Sequence, residues 1–156
     1  MIIGIGGVSR AGKSTLANLL KKHIKGKTIT ILNQDDFVKK TGLPTIKKHI
    51  DWEHPDSLNW NQLYQTIILA SKSNEIVIVE GLFAFHNKKI LKMYDRLIFV
   101  NIGKNLFFTR KRKDLRWGRE PDWFIDHIWE SFLMFGQAPV TSTPVLIVKG
   151  DQKINL

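Results

Sequence analysis

Gly7-Val8-Ser9-Arg10-Ala11-Gly12-Lys13-Ser14 fits the pattern G-x-x-x-x-G-K-[ST], preceded by a short apolar run and followed by an amphipathic one. Two glycines at that spacing let successive backbone N–H groups curl inward, and a helix start adds positive potential, so the segment is a cradle for phosphate. Lys13 supplies a cation able to follow β- and γ-phosphates, and Ser14 offers a hydroxyl to Mg²⁺. With Thr15 they complete a candidate nucleotide-binding set of Gly7, Gly12, Lys13, Ser14 and Thr15. Kinases, nucleotide hydrolases and switch proteins all use such a cradle. The chain has no N-K-x-D base-recognition motif, and its 156 residues favour a small-molecule kinase.

Two acidic positions fit that chemistry. Asn33-Gln34-Asp35-Asp36-Phe37 follows an apolar run and puts paired carboxylates where a parallel strand would end, the edge at which α/β sheets bind ligands. One of the pair, Asp35, can orient an acceptor hydroxyl and take its proton, with Asp36 beside it on the acceptor side; a solvated turn or helix cap is the competing reading. Glu80 ends the run Ile76-Val77-Ile78-Val79 and is a candidate metal-associated acid together with Ser14.

These residues need a scaffold, and the hydrophobic pattern supplies one. Short, nearly continuous apolar runs at 2–5, 28–32, 76–79, 97–102 and 145–148 read as strands buried on both faces of a parallel sheet. Helical patterns at 13–24, 58–71, 88–93, 106–115 and 122–135 alternate with them, which predicts an α/β fold. The stretch 38–56 carries Gly42, Pro44 and Pro55 with little periodicity and reads as a long functional loop. No internal repeat or linker interrupts the chain, so a single domain over 1–156 is expected.

Hydrophobic residues make up 43% and charged residues 24%, enough apolar mass for a core. The absence of cysteine excludes disulfides, zinc-thiolate sites and a cysteine nucleophile. No apolar run approaches the ~20 residues that cross a bilayer and no secretory leader opens the chain, so a cytoplasmic protein without membrane contact is expected. The net charge of +10 suits polyanionic partners. Seven of the cations (Lys104, Arg110, Lys111, Arg112, Lys113, Arg116 and Arg119) fall between 104 and 119 against one acid, Asp114. This segment can close over a triphosphate, but a solvated helix face or a nucleic-acid surface competes with that reading. Among the five tryptophans, Trp52 stands out because it sits in the polar loop; Trp117, in the basic segment, is either an opposing aromatic plate or a packing residue. The five histidines show no metal-ligand spacing and read as structural or solvated, although His127 leaves a supporting or substrate role open.

The combination GGVSRAGKST, QDDF, WEHPDSLNW, EGLFAF and PDWFIDHIW resembles the uridine kinase and nicotinamide riboside kinase group of P-loop kinases over nearly the whole chain, with QDDF and the last segment more like the latter. The resemblance implies a P-loop NTPase fold: a five-stranded parallel sheet with helices on both faces and a mobile basic lid, here about 104–121. It implies ATP and Mg²⁺ as cofactors and a small-molecule nucleoside as the partner, phosphorylated on its 5′-hydroxyl. Nicotinamide riboside is the first choice and uridine or cytidine the second; a nucleotide-dependent nucleic-acid-binding or regulatory protein is the reading from another class. By position, Asp35 matches the family's base, Glu80 its metal-associated acid, Trp52 the aromatic that stacks on the acceptor ring, and Arg112 and Arg116 its lid arginines. Glu53 stands where the family has an Asp that grips the ribose hydroxyls, one methylene longer. Val148-Lys149-Gly150-Asp151 falls where the family's turn lies against adenine, which adds Gly150 to the nucleotide site.

Overall fold

The structure is a computed structural model that describes residues 1–116 and 118–152. Five of its strands, β1 (Ile2–Gly6), β2 (Ile29–Asn33), β5 (Ile76–Glu80), β6 (Arg96–Asn101) and β7 (Val145–Lys149), form one parallel sheet in the order β2-β5-β1-β6-β7. Strand β5 shows why the sheet is parallel and central: Val77, Ile78 and Val79 are all fully buried, so residues pointing to opposite faces are both covered. Its register pairs Ile5 of β1 and Asn33 of β2 with Glu80, which brings three strand ends to one edge.

Helices α1 (Lys13–His23), α2 (Trp60–Ser73), α3 (Lys88–Leu91), α4 (Lys104–Arg112) and α5 (Asp122–Phe135) fill the connections. Each of the longer ones buries a stripe at helical spacing: Leu16 and Ala17 in α1, Leu63 and Ile67 in α2, and Ile125, Ile128 and Phe132 in α5. Helix α2 starts two residues later than its apolar pattern suggests. Asn59 accepts a hydrogen bond from the Gln62 N–H as the cap, and Leu58 is used instead in a bridge to Val38. Helix α4 ends at Arg112, short of the expected 115, and the chain beyond it turns around the Asp114 carboxylate.

Two expectations need correction. The stretch 38–56 contains a small hairpin, β3 (Thr45–Ile46) paired with β4 (His49–Ile50), whose turn residues Lys47 and Lys48 both have positive φ. No Asn-Gly signal marks it, since lysines occupy the positions those residues favour. Strand β7 lies at the sheet edge rather than inside it, and Leu146 and Ile147 are more than half exposed on its two sides.

Candidate functional site

The cradle joins β1 to α1 as the sequence requires. A Cβ on Gly7 would collide with the Val100 carbonyl oxygen of β6, so only glycine lets the chain leave β1 so close to its neighbour. Arg10 takes a left-handed conformation with φ 63°, and Gly12 precedes the first turn of α1. The Lys13 ammonium donates to the Val8 carbonyl at 3.0 Å, folded back across the loop. Burial lowers its pKa, and Glu80, Asp35 and Glu53 oppose the shift in that order. The same balance places those three carboxylates within electrostatic reach of the lysine. Ser14 donates to Glu80 Oε1 at 2.7 Å, which joins the start of α1 to the end of β5, and Glu80 itself is buried. Thr15 follows on the exposed side of the helix start.

At the end of β2, Asp35 and Asp36 lie on a single 3₁₀ turn, Gln34–Phe37, and Asn33 caps it by accepting from the Asp35 N–H at 3.0 Å. Both aspartates are exposed, while Gln34 is buried and accepts from the Phe83 N–H at 2.8 Å. Glu53 is half-buried, and burial pushes its carboxyl up to about 7; Lys111 pulls it down, whereas Asp35, Glu120 and Asp51 reinforce the rise. Four carboxylates therefore gather here, Glu53 among them, and Lys111 is already paired, since it meets Glu120 at 2.7 Å. Trp52 is 46% exposed beside them, its backbone carbonyl accepting from the Ser57 hydroxyl at 3.1 Å.

Sequence reasoning did not find how this loop is held. Asp51 is buried and accepts from the Glu53 N–H at 3.1 Å and from His127 Nε2 of α5 at 2.8 Å, while Ser131 of the same helix donates to the Glu53 carbonyl. The one available signal was the PDWFIDHIW segment itself, since a partner 76 positions away leaves no periodic trace.

The basic segment is organised by its acids. Arg116 donates twice to Asp114, at 2.8 and 2.7 Å, and Arg10 of the cradle lies 3.7 Å from the same carboxylate. These contacts, the Arg116 hydrogen bonds first, hold the Asp114 carboxyl well below the usual range. Arg112 pairs with Asp122 at 3.3 Å and lies over the Phe108 ring, so Arg112 and Arg116 point to different partners. Arg110 donates to the Arg10 carbonyl at 3.1 Å and to the Gly150 carbonyl at 2.9 Å. Gly150 lies against the Ala11 carbonyl so closely that a side chain would not fit, which sets the 148–151 turn on the cradle. Trp117 lies outside the described residues. No helix among the described residues is long and apolar enough to cross a membrane.

The Phosphoribulokinase / Uridine kinase family matches residues 65–128. A uridine kinase of Staphylococcus haemolyticus is 26% identical over 136 residues, covering 70% of this chain and 66% of that protein, so the chain spans just under two thirds of its length. Human nicotinamide riboside kinase 1 is 28% identical over 156 residues, covering 87% of this chain and 76% of that protein. Among solved structures, a possible uridine kinase from Bacillus stearothermophilus superposes with a TM-score of 0.59 at 16% identity, covering 95% of this chain and 88% of that one. A sugar kinase from Janibacter sp. HTCC2649 gives 0.65 at 15% identity, covering 97% and 86%. The chain is thus similar in sequence to uridine kinase and to nicotinamide riboside kinase, and it shares the five-stranded parallel α/β fold of the kinases it superposes on.

Proposed function

We propose that the protein transfers the γ-phosphate of ATP to the 5′-hydroxyl of a ribonucleoside, with nicotinamide riboside as the preferred acceptor. The observation that carries the reading is where the strands end: Asn33 of β2 pairs with Glu80 of β5, which Ser14 of the cradle bonds at 2.7 Å, so the turn that carries Asp35 starts beside the cradle. A hydrolase needs a positioned water and no acceptor pocket, whereas this arrangement supplies both a proton acceptor and a grip for a polyol.

Asp35 orients the acceptor hydroxyl and takes its proton as the oxygen bonds to the γ-phosphorus; the bond to the β–γ bridging oxygen breaks and ADP leaves. Lys13 gives up the Val8 carbonyl and follows the phosphates, so its charge meets the negative charge spread over the transferred group. Ser14 Oγ and Glu80 Oε1, hard oxygen donors 2.7 Å apart at the mouth of the cradle, fit Mg²⁺, which takes few protein ligands and keeps several waters. When bound, the ion neutralises phosphate charge. Glu53 accepts from the ribose hydroxyls, and the exposed indole of Trp52 stacks on the acceptor ring.

The choice of nicotinamide riboside rests on charge. Asp35, Asp51, Glu53 and Glu120 gather in a chain whose net charge is +10, Lys111 is neutralised by Glu120, and an indole face attracts a cationic ring. Uridine is the second reading, supported by the similar identity to the staphylococcal uridine kinase. A coupled assay for ADP against nicotinamide riboside, uridine and cytidine tests both. ADP formation is expected to depend on an acceptor, with the highest kcat/KM for the cationic one. A higher value for uridine reassigns the substrate, and ADP release independent of any acceptor overturns the kinase reading.

A further inference from the structure

We propose that His127 is a positioning residue for the acceptor: by holding the Asp51 carboxylate from helix α5, it fixes the loop backbone that carries Trp52 and Glu53. The inference rests on the reading of 51–53 as the acceptor loop. Asp51 is 5% exposed, and its Oδ1 receives both His127 Nε2 at 2.8 Å and the Glu53 N–H at 3.1 Å. A carboxylate only accepts, so the proton of the first contact sits on His127 Nε2. One oxygen thus ties the loop to itself and to α5 at once.

The tie is not a lone contact. One helical turn further on, Ser131 donates to the Glu53 carbonyl, so α5 grips the loop at 51 and at 53 with Trp52 between the two points. Trp123, one turn before His127, packs against His49 at 5.3 Å between ring centroids and lies under the Lys47 ammonium at 4.8 Å, which steadies the hairpin leading into the loop. The basic segment reaches the same helix, through an exposed pair of Arg112 with Asp122 at its first residue. A helix that holds the acceptor loop sets where the acceptor meets the phosphates, and a small misplacement there is costly to transfer.

The charged group that acts on Asp51 is Glu53, two residues on in the same loop. Removal of His127 leaves the buried Asp51 beside the Glu53 carboxylate with one donor fewer, so the loop is expected to open toward water rather than keep its place.

Four variants test this: His127→Ala, His127→Gln, Asp51→Ala and the double alanine. The Gln amide nitrogen can occupy the place of Nε2 and serves as the rescue. Two readouts are taken, Michaelis constants for acceptor and ATP, and hydrogen exchange at the amides of 51–57. Each alanine variant is expected to raise the acceptor KM roughly 5- to 100-fold, as for a buried hydrogen bond to a charged group, with the ATP KM within about twofold of wild type. Exchange at 51–57 should quicken while α5 keeps its protection. His127→Gln should recover most of both effects, and the double variant should add little to either single one. Unchanged exchange at 51–57 in both alanine variants, or acceptor and ATP constants that move together, overturns the proposal. If the wild-type protein turns over no nucleoside, the functional reading fails by itself, and the exchange measurement still decides whether His127 holds the loop.

Discussion

Around neutral pH the Glu53 carboxyl is divided between its two protonation states, because burial holds its midpoint at about 7 against an ordinary value of 4.5. Below pH 4.5 the group is neutral in both folded and unfolded chains; between 4.5 and 7 the unfolded chain releases a proton that the folded one keeps. Stability is therefore present at low pH and lost as pH rises through 7, by on the order of 2–3 kcal/mol for a shift of this size. Glu53→Gln should remove that loss: denaturant midpoints of variant and wild type should converge near pH 4.5 and diverge in favour of the variant by pH 8. Function should run the other way. A cationic acceptor is held by the ionised carboxylate, so its KM in the wild type should fall as pH rises through 7 and stay flat in Glu53→Gln. At the neighbouring position, Asp35→Asn keeps shape but loses the proton acceptor, and kcat should drop about 10²- to 10⁴-fold with the ATP constant little changed. Asp36→Asn is the control on the same turn, and a larger loss there would exchange the two roles. Asp35 and Asp36 were picked out because they follow an apolar run and Glu53 only through the resemblance, whereas nothing in the sequence announced the altered titration of Glu53. It arises first from burial, with Asp35, Glu120 and Asp51 adding to the rise against the pull of Lys111, a setting that only the folded chain assembles.

Parallel strands announce themselves in sequence because both of their faces are buried, and β1, β2, β5 and β6 fall within about two residues of their apolar runs. Edges and tight turns do not: β7 has the same composition as the central strands yet lies half in solvent, since strand order is decided by partners far along the chain. The lid shows the same limit. Its arginines were readable as a group, but not their tethers, with Arg116 on Asp114, Arg112 on Asp122 and Arg110 on the carbonyls of Arg10 and Gly150. For this element to serve transfer, Arg116 must leave Asp114 when phosphates arrive, a trade of one anion for another across the mouth of the cradle where Arg10 already reaches. Replacing both Arg112 and Arg116 by Gln should then slow transfer about tenfold or more and raise the ATP KM, since a cation placed in a water-poor site is worth far more than one in solvent. The acceptor KM should stay close to wild type. Equal kinetics for variant and wild type at matched ionic strength would make the segment a solvated helix face.

Across the whole molecule, a net charge of +10 stands against a proposed acceptor site where carboxylates gather, and the two scales of electrostatics respond differently to salt. The overall field acts over distances that a Debye length of about 10 Å at 0.1 M screens, whereas contacts inside the pocket are much less screened. ATP, a polyanion drawn by that field, should lose kcat/KM severalfold between about 0.02 and 0.2 M salt, while uridine, which is neutral, should be nearly indifferent. A cationic nucleoside is repelled at long range and held at short range, so its kcat/KM should not fall with salt as that of ATP does. The same field bears on the rival reading as a nucleic-acid-binding protein. Any polyanion is attracted to such a surface, so duplex DNA should compete with ATP at low salt and lose its grip steeply as salt rises, the mark of counterion release without recognition. What DNA should not do is stimulate ADP formation when acceptor is absent. ADP release measured with and without duplex and single-stranded DNA, at two salt concentrations and with or without nucleoside, separates the cases. Acceptor-dependent turnover that DNA only inhibits is the expected result, and acceptor-independent turnover that DNA accelerates would mean that the basic surface, rather than the acidic pocket, is where this protein meets its substrate.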